Sequence, residues 1–362
     1  GEITDPVTGL QRRTMKEQKL ASFHLYPLPA SQGFQRYKVA HRSGLVEILQ
    51  QVAADQPALP VEIYSAEGHT LTLAYVRSSR AGNPWRLSTI TDAAEAILLR
   101  LDDVADPQQT GVAVRYRPIG NTEFARFFIQ TDTAGRVDQL RLPATNDRGD
   151  LANWAFTYVS EKGLDCIKTA RTPAGAKETL TYDPTGHAFP MGSQREPLPR
   201  VASHVIDPGH GQPQQSLHYS YPRDEHNFLG NGLNIVWAED GLDNLYLHLG
   251  TYTYGSTEEL RDGTKVLRSV ERQYNQFHLQ VLEKTTRNGH VHSVASEYDH
   301  DPRKYFADQV ASCQLPRTLT TQWSLGTGTR EEKETYEYDA LGNLRKQTLK
   351  TGVVEDYAWY PA

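Results

Sequence analysis

The side chains best able to do chemistry are scattered along this chain. Thirteen histidines are present, and two of them, His290 and His292, follow an Asn-Gly pair at i and i+2. On a strand both imidazoles would face one side, with Asp299 and His300 a little further on. Two such imidazoles can begin a zinc site, but a site needs three or four ligands, and solvated strand residues are the simpler reading. His210, in DPGHGQP, could act as a base oriented by Asp207, yet no nucleophile is tied to it by spacing. Asp224, Glu225 and His226 make a polar cluster ahead of FLG, with the same simpler reading. Trp237, Tyr246, Tyr252 and Tyr254, with Asp and Asn nearby, could stack on a sugar and hydrogen-bond it. Aromatics alternating along hairpins more often pack across strands.

The sequence lacks GxxxxGK[ST] and GxGxxG, which cradle phosphates, and it lacks GxSxG, HExxH and CxxC. No catalytic residue, metal site or cofactor is therefore expected. Cys166 and Cys313 lie too far apart in sequence, and are too few, to suggest a disulfide framework. They read as two small buried hydrophobes.

Composition narrows the class. In 362 residues the hydrophobic content is 38%, Tyr outnumbers Phe by 19 to 10, and Thr and Val recur throughout. Together these favour many short strands with frequent turns and a thin core. A net charge of −6 with both signs interspersed argues against a nucleic-acid partner. No apolar run is long enough for a transmembrane helix. The chain opens at Gly1 on ITDPVTGLQRR, which reads as a turn already in progress, so a fragment of a longer protein is expected.

The elements that must position these side chains are hairpins. Asp262-Gly263 and Asn288-Gly289 each stand between strand-like runs and suit the positive φ of tight type I′ turns. Asn231-Gly232 and Asp240-Gly241 flank LNIVWAE, so residues 228–298 are expected to form a series of antiparallel hairpins. Residues 92–104, DAAEAILLRLDDV, suit a helix or a buried strand; the strand-rich surroundings favour the strand. Residues 301–312 read as a loop with one helical turn. Six prolines in 184–213 mark a loop or boundary between an N-terminal β region, 1–183, and a hairpin-rich region, 214–362.

One short pattern repeats. In TYEYDALGNL, residues 335–344, Tyr336 and Tyr338 share a strand face, Asp339 opens a turn, Gly342 closes it, and Leu344 begins the return strand. LTYDPTGHAF, residues 180–189, places Tyr182, Asp183 and Gly186 at the same offsets. TDTAGRV (131–137) and SAEGHTL (65–71) keep the turn and the glycine but lose the Tyr-Asp pair. This pattern resembles the RHS/YD-repeat family, whose unit is a Tyr-x-Tyr-Asp-x-x-Gly-x-Leu hairpin. The stretches 22–49 and 226–256 and the ending YAWYPA are also similar to RHS proteins of the insecticidal and polymorphic toxin type.

The resemblance implies an all-β fold, a continuous antiparallel hairpin ribbon coiled into part of a hollow shell. It implies a secreted bacterial toxin whose shell encloses a C-terminal toxin domain. The partners would be that domain and the remaining RHS repeats of the same parent, with delivery-machinery components as further candidates. Two other functions compete. A carbohydrate-binding or surface-recognition module on the same repeats would take glycans and would need an exposed aromatic platform. A glycoside hydrolase would need two carboxyls about 5–10 Å apart across a cleft.

Overall fold

The computed structural model describes residues 2–5, 8–15, 17–20, 22–54, 56–78, 85–106, 109–117, 125–145, 151–222 and 226–359. Twenty-five strands run through them. They are β1 Glu2–Thr4, β2 Gln11–Arg13, β3 Phe23–Ser31, β4 Phe34–His41, β5 Val46–Gln51, β6 Ala58–Tyr64, β7 Thr70–Arg77, β8 Trp85–Asp92 and β9 Ile97–Asp106. Next come β10 Gln109–Tyr116, β11 Ala125–Thr131, β12 Val137–Thr145, β13 Leu151–Glu161, β14 Leu164–Arg171, β15 Lys177–His187, β16 Leu198–Asp207 and β17 Gln215–Ser220. The last are β18 Thr253–Asp262, β19 Lys265–Asn275, β20 Gln280–Arg287, β21 His290–Tyr298, β22 Pro316–Leu325, β23 Gly328–Tyr338, β24 Leu344–Thr348 and β25 Val354–Asp356. Among the described residues the only helical pieces are three short 3-10 turns, Asn244–Leu247, Phe306–Asp308 and Ala311–Gln314. The fold is all-β and antiparallel, as the composition requires. Residues 92–104 form the end of β8, a turn, and most of β9.

The chain divides into two compact units. The first holds Gly1–Lys16, Ala21–Phe156 and Arg171–Ala174; the second holds Glu17–Leu20, Thr157–Ala170 and Gly175–Ala362. Within the first, strands β1 to β12 pair each with the next, and buried apolar residues sit on the strands themselves, including Val39, Ile48, Val112, Val114 and Phe128. Within the second, β15 to β25 do the same. There the strands carry charge on both faces. Arg272 Nε lies 2.9 Å from Glu283 on one face, and Lys284 Nζ lies 3.7 Å from Glu271 on the other.

Two kinds of turn connect the strands. Two-residue loops with positive φ at both positions occur at Gln32-Gly33, Lys162-Gly163 and Asn288-Gly289. The loop expected at Asp262-Gly263 lies one residue later: Asp262 pairs with Lys265, leaving Gly263-Thr264 to turn. The other kind spans five residues. In 65–69, 92–96, 132–136, 275–279 and 339–343 the first N–H donates to the fifth carbonyl, and the fourth N–H donates to the first carbonyl. The fourth residue has positive φ in each, and the first side chain accepts from the backbone N–H groups two and four residues on. This is an Asx or Ser turn that fixes the register of the strands it joins.

A second device recurs with β-bulges. Pairing skips Val61, Ala202, Val281, Arg317 and Arg345, so each is an extra residue in its strand. A bulge disrupts the ladder locally and leaves backbone groups to be satisfied elsewhere. In all five cases the carbonyl just before the extra residue accepts from an aromatic side chain further along the chain. Tyr75 donates to Pro60 O at 2.8 Å, Tyr221 to Val201 O at 2.9 Å, and Tyr298 to Gln280 O at 3.0 Å. Tyr338 donates to Pro316 O at 3.0 Å, and Trp359 Nε1 to Leu344 O at 2.6 Å. Tyr298 also pairs with Pro316, and Tyr338 with Leu344, so each clasp leads to the next.

Residues 228–298 depart from an unbroken series of hairpins. Residues 221–252 form a long connection between β17 and β18, and LNIVWAE is not a strand: Val236 is 89% exposed. Buried amides hold this loop where a ladder would otherwise do so. Asn227 Nδ2 donates to Ala188 O at 2.8 Å; Asn244 accepts from Ala238 N at 2.7 Å and donates to Ala238 O at 3.0 Å. Residues 299–315 form a second long connection, tied by Gln309, whose amide donates to Asp301 O and Lys304 O. The expected proline-rich loop 184–213 also shortens, because β15 and β16 run into it and leave 188–197 between them. Pro199 is tolerated there because it falls in the irregular stretch where the β15–β16 register breaks.

Loss of a clasp exposes its cost. Tyr298→Phe and Tyr338→Phe should each lower the unfolding free energy by about 1–2 kcal/mol, the cost of leaving a carbonyl without its donor. Tyr305→Phe, at a 43% exposed ring, should change it by less than about 0.5 kcal/mol. Urea denaturation that ranks the three equally would refute the clasp.

Candidate functional site

The repeat motif is built from the turn outward. Asp339 Oδ1 accepts from Leu341 N and Asn343 N, both at 2.8 Å, and Oδ2 accepts from Asn343 Nδ2 at 2.9 Å. These bonds, led by that of the Asn343 side chain, hold the Asp339 carboxyl below its ordinary range. Gly342 has φ +80°, and a Cβ there would run into Leu20 Cδ2. Tyr338 clasps the β22 bulge, while Tyr336 lies against Glu334 with its hydroxyl 2.9 Å from Oε2. Burial, and then that carboxylate, raise the Tyr336 hydroxyl to about 12. Leu344 opens β24 and supplies the carbonyl that Trp359 takes.

At 180–189 the same letters make a different structure. Gly186 has φ +68°, but β15 continues to His187 and no hairpin forms. Asp183 Oδ1 accepts from Thr185 N and Oγ1, and Oδ2 accepts from Arg200 at 2.8 Å. Pro184 follows Asp183 immediately, and the Arg200 guanidinium, 4.6 Å over the Tyr221 ring, draws the carboxylate across to β16. Tyr182 donates to Ile167 O at 2.7 Å. His187 is packed edge-on between Tyr221 and Phe228. Burial, then the nearby Arg200, push its imidazole down to about 4.

The four aromatics considered for sugar stacking fall into two groups. Trp237 lies edge-on to Phe189 at 4.8 Å and donates to Glu239, which Arg195 also grips. Tyr246, Tyr252 and Tyr254 gather with His278 instead. Tyr246 stacks on Phe306 at 4.0 Å, against the buried apolar cluster of Phe277, Phe306 and Cys313. Tyr252 is 2% exposed, faces His226 at 4.5 Å, and hydrogen-bonds the backbone of Asn227 and Asn231. Tyr254 stacks on Tyr274 at 5.3 Å. Tyr252, buried with its ring against His226, has no face to lend to a pyranose.

Sequence reasoning missed a polar relay in this group. Tyr254 Oη lies 2.7 Å from His278 Nδ1, and His278 Nε2 lies 2.6 Å from Asp243 Oδ2. Its signal was NQFHL, residues 275–279, an Asx turn in which His278 takes the left-handed position at φ +59°. Burial raises the hydroxyls of Tyr246 and Tyr252 to about 12 and that of Tyr254 further, so all three stay protonated at neutral pH. The relay ties residues 226–252 to the β19–β20 turn and presents no activated nucleophile.

The remaining candidates do not converge. Asp207 accepts from Gly209 N and the Gln214 side chain instead of orienting His210. Asp224 and Glu225 lie outside the described residues, and His226 contacts Thr253 O. His290 and His292 begin β21 while Asp299 and His300 follow its far end, and no metal-holding group of three ligands occurs among the described residues. No described helix is long and apolar enough to cross a membrane.

No family model matches the chain, and no curated protein matches it by sequence. Among solved structures it is similar to the crystal structure of TcdB2-TccC3-Cdc42, at 12% identity and a TM-score of 0.36, over 88% of this chain and 16% of that one. It is also similar to the Photorhabdus luminescens Tc holotoxin pore with a substituted TccC3, at 12% identity and a TM-score of 0.36, over 94% of this chain and 20% of that one. The chain thus spans a fifth or less of the length of either.

Two outcomes test this description. Gly342→Ala meets both a left-handed backbone and Leu20, whereas Gly352→Ala meets only the backbone, with open space around its Cβ. The second should cost about 1 kcal/mol and the first about 1 kcal/mol more; equal losses by chemical denaturation would contradict the packing at Leu20. His187 titrates near 4 when folded and near 6.5 when unfolded. Its contribution to stability is present above pH 6.5 and is lost as pH falls toward 4. The melting temperature of His187→Phe should therefore fall less steeply than wild type over that interval.

Proposed function

We propose that this chain is a non-catalytic wall segment of a secreted RHS/YD-repeat toxin. In this reading its hairpin strip joins the remaining repeats of the same parent to enclose a C-terminal toxin domain. The observation that carries the proposal is the wetness of the strip in the second unit. Val270 is the single buried apolar side chain among the described strand residues of 253–348, and ion pairs occupy both faces of β19 and β20. A sandwich would dry one face of each sheet. A wall between solvent and an enclosed polypeptide has no such requirement, and its polar lining gives an unfolded guest partners for its own backbone. The repeat at 335–344, with its capped turn and tyrosine clasp, supplies the family resemblance.

A wall segment with two wetted faces should be more extended than a globule of its length. A compact chain of 362 residues would have a radius of gyration of about 21 Å. Small-angle scattering on the isolated, monodisperse chain should give a larger value; one at or below the compact figure would overturn the wall reading.

A further inference from the structure

In the antiparallel strip β18–β25, successive connections alternate between its two ends. The long connections 221–252 and 299–315 and the turns 275–279 and 339–343 fall at one end. The two-residue loops 263–264, 288–289 and 326–327 fall at the other. Between the last two of these loops lies a groove of about 430 Å³, within the size range of small-molecule sites.

Register builds this groove. His292, Trp323 and Arg330 lie opposite one another in one row across β21, β22 and β23. Two residues nearer the loops, and so on the same face, the next row runs Arg287, His290, Leu325, Gly328. Trp323 is 37% exposed and Leu325 54% exposed, so the floor offers carbon to solvent. Gly328 places no side chain beside Leu325, which keeps the groove open. The His292 ring lies 5.5 Å from Trp323, and the Arg330 guanidinium stands 5.5 Å over the indole. Arg330 is held from behind by Glu332. Arg287 and His290 have no acidic partner among the described residues, and no carboxylate lines the groove.

We infer that this groove binds a small organic anion with an apolar body, such as an alkyl or aryl sulfonate or carboxylate. The body lies on Trp323 and Leu325, and the anionic head meets Arg287 and Arg330. Organic cations find no carboxylate there, and two imidazoles alone are too few ligands for a metal ion. A neutral sugar finds few of the carboxylate and amide partners that its hydroxyls need. The two histidines that could begin a metal site thus line the groove beside Arg287 and Arg330. This site stands apart from the wall reading and does not depend on it.

The test is titration of the full chain with 1-anilinonaphthalene-8-sulfonate, followed by fluorescence and calorimetry. One probe should bind per chain and be displaced by octanesulfonate, while octanol, its uncharged counterpart, should bind at least tenfold more weakly. Gly328→Val fills the groove without changing charge. A Cβ there meets only Leu325 O at an ordinary 3.5 Å, so melting should be unchanged while probe affinity falls at least tenfold. Arg287→Gln, at an exposed position, should weaken octanesulfonate at least fivefold and leave octanol unaffected; this variant decides the matter if Gly328→Val melts early. Absence of saturable probe binding, equal binding of octanol and octanesulfonate, or undiminished binding by Arg287→Gln would each overturn the assignment.

Discussion

At five bulges among the described residues a carbonyl leaves the ladder, and an aromatic hydroxyl or indole N–H further along the chain takes that carbonyl up. The geometry repeats at Pro60, Val201, Gln280, Pro316 and Leu344. An unmet carbonyl would cost about 1–3 kcal/mol, so even two or three would rival the whole stability of a typical domain, about 5–15 kcal/mol. At these five positions the clasp completes what the bulge leaves open; at Ser88, which pairing also skips, the Leu87 carbonyl accepts from the Arg86 guanidinium instead. Because Tyr298 and Tyr338 also pair with the residue whose carbonyl the next aromatic takes, the constraint passes from strand to strand.

That constraint matters more where apolar burial is scarce. In the first unit, Val112, Val114 and Phe128 bury on their strands and help set register in the ordinary way. Strands β18–β24 have little of this, and their cross-strand ion pairs are partly exposed, worth at most about 1 kcal/mol each. Register there rests on the turns and the clasps. Apolar burial is displaced to the end of the strip, where Phe277, Phe306 and Cys313 close against Tyr246. Lys19 and Glu17 reach in from a distant part of the sequence, Lys19 donating to Ala307 O and Gln309 O and Glu17 accepting from Asp243 N.

Features set by local chemistry were legible in the sequence. An Asn-Gly pair between strand-like runs reads as a two-residue loop because both residues readily take the positive φ it needs, whereas Gln32-Gly33 and Lys162-Gly163, which form the same loop, carry a weaker signal. Asp339 and Gly342 read as a turn because a carboxylate and a left-handed residue were both in place. Features set by neighbours were not legible. Asp183 and Gly186 have the same spacing, but Arg200 claims the carboxylate and Pro184 alters the backbone, so β15 continues. LNIVWAE has a strand's composition, yet Asn227 and Asn244 satisfy the surrounding backbone without a partner strand. The backbone acceptors of Tyr252, at Asn227 and Asn231, were not legible because a one-dimensional pattern does not show which loop folds over a ring.

The segregation of connections between the two ends of the strip follows from the same economy. Lengthening a loop costs little closure entropy, provided its backbone groups find partners. The buried amides Asn227, Asn244 and Gln309 meet that condition at one end, so 221–252 and 299–315 can grow there and carry the apolar cluster. At the other end, the two-residue loops 288–289 and 326–327 join strands that pair without a register break, and a slip of one residue there would turn every side chain to the opposite face. Only under that discipline do His292, Trp323 and Arg330 stand in one row with Leu325 and Gly328 beside them. A cationic groove with a carbon floor can therefore arise on a sheet that otherwise has little apolar surface, from register alone and without a hydrophobic core beneath it.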